Sequence, residues 1–136
     1  GLASAVIGFE EISDAGLARL NKRSSVAVNI EAIGILKDLG IRVIGDFIVD
    51  PEYTAADFDA LERFVAAHAI DLPLPSILTP LPGTPLHREM RHKITIQDLD
   101  YYTFTNAVCP TRMEPKLFYQ AYAAMLKRFL KHISHG

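Results

Sequence analysis

The sequence predicts an α/β fold built on a parallel sheet. Short apolar runs of strand length alternate with longer segments in which apolar residues recur every three or four positions. The order strand–helix–strand–helix–strand is typical of right-handed crossover connections between parallel strands. Three strands at this spacing suit half of a barrel or part of a doubly wound sheet. The strands are predicted at Ala3–Phe9, Ile41–Val49 and Leu74–Thr79.

Two helices are predicted between the first and second strands. The first strand is apolar on both faces, as expected of a strand that is covered on both sides. Ser13 is placed to cap a short helix over Asp14–Asn21, and Ser25 to cap a longer helix over Val26–Leu39. Gly40 follows at once and suits a left-handed helix C-terminus.

The second and third strands are joined by one predicted helix. Thr54 is placed to cap this helix, which runs over Ala55–His68. Pro73 and Pro75 make the start of the third strand irregular, because proline has no N–H to donate to a sheet.

The rest of the chain is predicted to be helical at both ends and irregular between them. Pro85–Met90 is predicted to be a short helix, and Thr95–Tyr102 to wrap the surface. Pro115 opens a final helix that ends at about Ile133. We therefore predict two units, a sheet-containing unit over residues 1–90 and a C-terminal extension over residues 91–136 whose long helix packs on it.

Composition excludes several classes of protein. Of the 136 residues, 49% are hydrophobic and 22% are charged, which is enough to bury one core. The net charge of −2 argues against nucleic-acid binding, and no apolar run approaches the roughly 20 residues that span a bilayer. Cys109 is the single cysteine and cannot form an internal disulfide, which favours a reducing cytosol. Because the chain has no initiator Met and begins inside a predicted strand, we expect it to be a fragment.

Polar side chains collect at the carboxyl ends of the predicted strands. Glu10 and Glu11 follow the first strand, Asp46–Asp50 ends the second, and Thr79–Thr84 follows the third. The last segment is stiff, because its prolines fix φ and its glycine has a wider conformational range. Parallel strands bring their carboxyl ends to one edge, where α/β proteins bind ligands. Carboxylates there can accept hydrogen bonds from ribose hydroxyls or an ammonium group, and strand-edge backbone can hold a purine.

Each of these charged residues also has a plainer interpretation. Lys22 and Arg23 can reach a carboxylate or phosphate, but they equally suit a solvated helix end. One of Glu10 and Glu11 can equally be a helix-entry charge that favours the helix dipole and has no role in binding. Asp50 followed by proline is typical of a turn.

The cysteine and the histidines do not suggest a metal site. Cys109 is predicted to be a small buried or loop residue rather than a nucleophile. The five histidines are scattered without the spacing of metal ligands, and His132 and His135 are expected to be exposed near the terminus. No phosphate-binding glycine loop, zinc-protease motif or nucleophile elbow is present.

Four short motifs occur in order along the chain. They are IGFE at Ile7–Glu10, LNKRSS at Leu20–Ser25, a glycine-spaced segment at Gly40–Ile48, and LTPLPGT at Leu78–Thr84. Together they resemble the second half of radical S-adenosylmethionine (SAM) enzymes. More narrowly, they resemble the cobalamin-binding subgroup, which includes magnesium-protoporphyrin monomethyl ester cyclases, hopanoid-biosynthesis enzymes and radical methyltransferases. The segment Ala107–Met113 is also similar to this subgroup, so the resemblance covers nearly the whole chain.

The resemblance implies a fold, cofactors and site residues. Residues 1–90 would form strands four to six of a partial, TIM-like (β/α)6 barrel, followed by C-terminal helices. In this family a 4Fe–4S cluster, held by a Cys-x-x-x-Cys-x-x-Cys loop, reduces SAM to a 5′-deoxyadenosyl radical, and cobalamin is a possible further cofactor. The resemblance assigns the ribose contact to Glu10 and the methionine carboxylate to Arg23 or Lys22. It assigns adenine contacts to Gly45, Asp46, Phe47, Leu78 and Thr79.

Two departures from the family pattern limit what this chain is expected to do. The three-cysteine loop is absent, so the chain alone is expected to bind no cluster and to be inactive. Val49–Tyr53 stands where many relatives have Gly-x-Pro-Gly, so the small-molecule substrate stays open. The parent enzyme would methylate, oxidatively cyclise or rearrange an unactivated carbon.

Two other functions are also compatible with the sequence. One alternative is a non-catalytic α/β interaction module that docks through its aromatic C-terminal helix, and another is a fragment of an unrelated barrel enzyme. The expected partner is the missing N-terminal half of the barrel. Without it, the exposed edge of the sheet is expected to drive self-association.

Overall fold

The computed structural model describes residues 1–133 and places a three-stranded sheet among helices. Within those residues, no helix is long and apolar enough to cross a membrane. His135 lies outside the described residues, and so does the side chain of His132. The elements in chain order are β1 (Ser4–Glu10), α1 (Asp14–Arg19), α2 (Val26–Asp38), β2 (Arg42–Val49), α3 (Ala55–Ala67), β3 (Leu72–Ile77), α4 (Pro85–Met90), a 3-10 turn (Leu99–Tyr101) and α5 (Pro115–Ile133).

The predicted helix starts are confirmed by their caps. The Ser13 hydroxyl accepts a hydrogen bond from the third backbone N–H of α1 at 3.1 Å, and Ser25 does the same for α2 at 3.3 Å. At α3, the Asp57 carboxylate accepts from the backbone N–H of Thr54 at 2.7 Å, which forms a capping box. Gly40 has a φ of +69°, the left-handed conformation expected after α2.

The sheet is parallel throughout, as predicted. Its strand order is β1-β2-β3, so β2 lies at the centre and the other two strands are edges. In the register, Gly8 pairs with Asp46 and Gly45 pairs with Pro73. The pairing of β1 with β2 shifts between Gly8 and Glu10, which marks a bulge at the carboxyl end of β1.

The third strand begins and ends two residues earlier than predicted. Pro73, predicted to precede the strand, lies inside it, as Pro75 was predicted to do. They are tolerated because β3 is an edge strand, whose outer side does not need N–H donors for a further strand. Thr79, predicted as the last strand residue, instead lies beyond β3, where its hydroxyl donates to the Ile77 carbonyl at 2.9 Å.

One face of the sheet carries the core. Alternate residues of β2, from Val43 to Val49, are buried there against α2, α3 and α5. The ring of Phe47 stacks on that of Phe9, with centroids 5.6 Å apart and planes 26° apart. The Tyr122 hydroxyl of α5 donates to the Pro75 carbonyl at 2.8 Å and ties the last helix to β3.

The other face of the sheet has no helix layer among the described residues. We call it the open face; it carries Val6, Gly8, Ile44, Asp46, Ile48 and Leu74. The side chains of Val6 and Leu74 are 65% and 42% exposed, although both are apolar strand residues. Parallel sheets are normally covered on both faces, whereas the described residues cover this sheet with helices on one face only.

The aromatic residues of α5 belong to the core rather than to a docking surface. Phe118 is fully buried and Phe129 is 4% exposed. Phe118 packs edge-on against Phe58 of α3, with ring centroids 5.5 Å apart. A partner therefore cannot dock on these two rings, as the interaction-module alternative required. The division at residue 90 stays a prediction.

We expect Gly45→Ala to destabilise the fold. A Cβ at Gly45 would lie 2.9 Å from the Phe9 ring and 3.1 Å from the Phe47 ring. Overpacking of this kind costs about 1–3 kcal/mol of the free energy of unfolding. Urea unfolding followed by circular dichroism measures the loss.

Gly34→Ala on α2 is the matched control. A Cβ there would meet nothing within 4 Å, so only the better helix propensity of alanine acts. This variant should be as stable as the unchanged chain or more so. If Gly45→Ala behaves in the same way, the close approach of the two rings does not constrain the core.

Candidate functional site

Glu10 is presented by a distorted end of β1. It has a φ of +66°, a left-handed conformation that non-glycine residues seldom adopt, directly after the bulge. Strain of this kind persists only where the surroundings enforce it, and it concentrates at functional sites. A Cβ on Gly8 would lie 2.5 Å from the Glu10 Oε1 atom, so the carboxylate folds back over Gly8 and would have to move if this residue carried a side chain.

Lys22 holds the Glu10 carboxylate in place. Its ammonium group donates to the Gly8 carbonyl at 2.7 Å and to Glu10 Oε1 at 3.1 Å. The side chains of Lys22 and Glu10 are 36% and 27% exposed, so the ion pair is partly shielded from water. Lys22 follows α1, and the short α1 helix is what returns the chain to the end of β1.

Asp46 adds a second carboxylate on the open face. It pairs with Gly8 in the register and is half-buried. Burial, followed by the negative charge of Glu10, raises the pKa of Asp46. We call Gly8, Glu10, Lys22 and Asp46 the carboxylate cluster. The cluster can accept hydrogen bonds from hydroxyl groups, because ionised carboxylates are acceptors only.

A cleft of about 520 Å³ lies at the carboxyl ends of the strands. It is lined by residues that follow each strand, Glu11, Asp50 and Leu78, together with Met90 and Cys109. A larger cleft of about 730 Å³ lies at the opposite edge, lined by Arg42 and Asp71. We favour the smaller cleft as the site because ligands of α/β proteins bind at the carboxyl ends of the strands.

Glu11 is a buried carboxylate in the wall of the cleft. It is 8% exposed, and burial raises its pKa, although a hydrogen bond from the Ile12 N–H and the charge of Arg19 partly oppose this. The Arg19 guanidinium lies 3.7 Å away. Gly16 makes room for the Glu11 carboxylate, since a Cβ at Gly16 would lie 2.6 Å from it.

The plainer interpretations hold for Asp50 and Cys109. The Asp50 carboxylate accepts from the backbone N–H of Glu52 at 2.9 Å, a turn interaction, as Asp-Pro predicted. Cys109 is 6% exposed and packs with Ile94 and Val108, as expected of a small buried residue. Burial raises the pKa of its thiol, which disfavours the reactive thiolate.

The other residues that the sequence predicted for the site do not lie together in the structure. Gly45 and Phe47 are buried on the core face, so the Phe47 ring points away from the open face. Leu78 lines the cleft, and the Thr79 hydroxyl is engaged with the backbone. Arg23 is exposed to solvent. All of these assignments remain predictions.

Sequence reasoning missed the role of Gly8 and the pairing of Lys22 with Glu10. Both depend on the bulge and on the return of the chain after α1. A glycine two residues before a strand-end glutamate is the only signal in the sequence, and by itself it is weak.

This chain is similar in sequence to several characterised enzymes. No family model matches it. Hopanoid C-3 methylase of Methylococcus capsulatus is 29% identical to it over 119 residues, 88% of this chain. Bacteriochlorophyllide d C-8(2)-methyltransferase of Chlorobaculum tepidum is 33% identical over 82% of the chain. Anaerobic magnesium-protoporphyrin IX monomethyl ester cyclase of Cereibacter sphaeroides is 33% identical over 85% of the chain.

The chain is a homologue of cobalamin-type radical SAM enzymes. This confirms the resemblance that the four motifs indicated. The chain spans only part of these three relatives, 23%, 26% and 18% of their lengths in the same order. The match therefore concerns one segment of each of these relatives.

The carboxylate cluster fits the nucleoside part of SAM. The carboxylate of Glu10 is held by Lys22 and is an acceptor for hydroxyl donors, which the ribose of SAM supplies. The iron–sulfur cluster of the radical SAM family does not fit this chain by itself. The chain has one cysteine, and the described residues contain no group of three His, Cys, Asp or Glu side chains suited to a metal.

We expect Asp46→Asn to stabilise the chain at neutral pH. Because the pKa of Asp46 is raised on folding, the stability linked to its protonated form is present in acid and is lost as the pH rises through that pKa. At pH 7 the ionised carboxylate therefore opposes folding, and the amide does not. The thermal midpoint of Asp46→Asn should exceed that of the unchanged chain at about pH 7 and match it at about pH 3.

The exposed Glu52 is the matched control. Glu52→Gln should leave the midpoint unchanged at both pH values. A lower midpoint for Asp46→Asn at neutral pH would mean that the Asp46 carboxylate is stabilised by the fold rather than opposed by it.

Proposed function

We propose that this chain is the carboxyl half of the catalytic barrel of a radical SAM enzyme. It would hold strands four to six of a TIM-like (β/α)6 barrel and the helices that follow. The observation that carries the proposal is the one-sided sheet, with helices on the face that includes Phe47 and an open face that includes Asp46. In a barrel the helices lie outside and the uncovered face lines the interior.

The longer protein would act on an unactivated carbon. The relatives include two enzymes named as methylases or methyltransferases and one named as a cyclase, which supports methylation or oxidative cyclisation of a small-molecule substrate. SAM and a 4Fe–4S cluster would supply a 5′-deoxyadenosyl radical, with cobalamin as a possible further cofactor. The cluster ligands would come from outside this chain, because Cys109 is its single cysteine. That lone thiol also supports a reducing, cytoplasmic setting.

This chain would contribute the nucleoside side of the SAM site. Glu10 accepts hydrogen bonds from the ribose hydroxyls at the carboxyl end of the first of its three strands. For the adenine along the two neighbouring strands, Gly45, Asp46, Phe47 and Thr79 would offer backbone contacts and Leu78 an apolar side chain, because the Phe47 ring belongs to the core. The cleft beside them, bounded by Leu78 and Met90, suits a small-molecule substrate because its walls combine apolar and charged groups.

Glu10→Ala in the longer protein tests the function. Removing a charged acceptor from the ribose should weaken SAM binding by roughly tenfold or more. The formation of 5′-deoxyadenosine, measured anaerobically with dithionite after reconstitution with iron and sulfide, should fall in parallel.

Glu31→Ala is the matched control, because Glu31 is an exposed glutamate on α2. It should bind SAM and form 5′-deoxyadenosine as the unchanged protein does. A longer protein that carries its cluster and yet neither binds SAM nor forms 5′-deoxyadenosine would refute the proposed function.

We also expect this chain, when expressed alone, to self-associate. The outer edge of β1 has no neighbouring strand in the described sheet, and Val6 beside it is 65% exposed. Sedimentation velocity at rising concentration should therefore show dimers or larger species. A strictly monomeric profile at all concentrations would contradict this, whereas Val6→Lys should reduce the association if the open face contributes to it.

A further inference from the structure

We propose that Lys22 is a positioning residue that holds Glu10 in place for the ribose, rather than a ligand of the SAM carboxylate. This rests on the proposed function, because it concerns the same nucleoside site. It differs from the family-based assignment, which gave the methionine carboxylate to Arg23 or Lys22.

The ammonium group of Lys22 is already engaged. Lysine has three N–H donors. Here the Nζ atom lies 2.7 Å from the Gly8 carbonyl oxygen and 3.1 Å from Glu10 Oε1, so two of the three are used. Its positive charge is opposed by Glu10, so a second carboxylate would compete for the same cation. Arg23, which is exposed and next in the chain, is the better placed cation for that role.

Glu10 needs such a restraint. Its backbone is in the left-handed region. The negative charge of its carboxylate also repels that of Asp46, whose pKa it raises. Lys22 counters that repulsion and fixes the Oε1 atom, which leaves the Oε2 atom as an acceptor for hydroxyl groups. A restrained acceptor binds a ligand more tightly because less side-chain entropy is lost on binding.

Gly8 completes the arrangement. A Cβ at this position would lie 2.5 Å from Glu10 Oε1 and 3.3 Å from the Lys22 ammonium. An alanine would therefore displace both side chains while removing no charge. Gly8→Ala thus disturbs the position of Glu10 by a route that is independent of Lys22.

The test measures equilibrium binding of three probes to the longer protein carrying its cluster. The probes are SAM, 5′-deoxyadenosine and L-methionine, which separate the nucleoside half from the amino-acid half. Lys22→Met should weaken SAM and 5′-deoxyadenosine by about tenfold, the scale of one charge-assisted hydrogen bond. It should leave L-methionine within about twofold. Gly8→Ala should give the same pattern.

A second comparison shows whether Lys22 acts through Glu10. In a Glu10→Gln background, Lys22→Met should weaken SAM by no more than about a further twofold, because the carboxylate that it holds is gone. Lys22→Arg should restore part of the affinity, since arginine keeps the charge. Lys116→Met, on the exposed start of α5, is the control for loss of a positive charge and should change nothing.

The possible results separate the two proposals. If Lys22→Met weakens L-methionine and leaves 5′-deoxyadenosine unchanged, Lys22 meets the SAM carboxylate and the positioning role is overturned. If Glu10→Gln weakens SAM but Lys22→Met and Gly8→Ala do not, the positioning role fails while the proposed function stands. If the unchanged protein binds no SAM, both fail.

Discussion

The structure depends on the close approach of two strands through Gly45. The Phe9 and Phe47 rings meet over this glycine, 2.9 and 3.1 Å from where a side-chain carbon would stand. That contact joins β1 to β2 on the core face and provides the flat apolar surface on which the helices pack. Because successive residues of a strand point to opposite faces, packing of this face in the core places Gly8 and Asp46 on the opposite face.

The site follows from that commitment together with one irregularity. A regular strand would continue the alternation through Glu10, but the bulge after Gly8 inserts a residue and turns the backbone to a positive φ. The carboxylate is thereby folded back toward Gly8 and the ammonium of Lys22. The charged cluster is therefore a product of a local backbone defect on a well-packed sheet, and such a sheet can support the strain.

The open face is consistent with the match of this chain to one segment of longer relatives. Exposure of its apolar side chains to water would be unfavourable in an isolated domain, but these side chains suit the interior of the proposed barrel. The matched segment makes up 23% and 18% of the length of two of the relatives, which agrees with the proposed place of this face inside a larger barrel. Glu10 and Asp46, exposed in part here, would become more deeply buried in a closed barrel, and their charges would then matter more.

The sequence by itself determined the elements, their order and the family. Caps such as Ser13 and Ser25, the C-terminal Gly40 and the alternation of apolar periods are local signals, so the helix and strand limits were predicted to within two residues. The motifs likewise identified radical SAM relatives without a structure. Only the tertiary structure decided that Phe118 is buried, that Pro73 and Pro75 lie within an edge strand, and that Lys22 pairs with Glu10. These outcomes depend on which segments meet in space, and residues twelve positions apart are brought together only by the turn of α1.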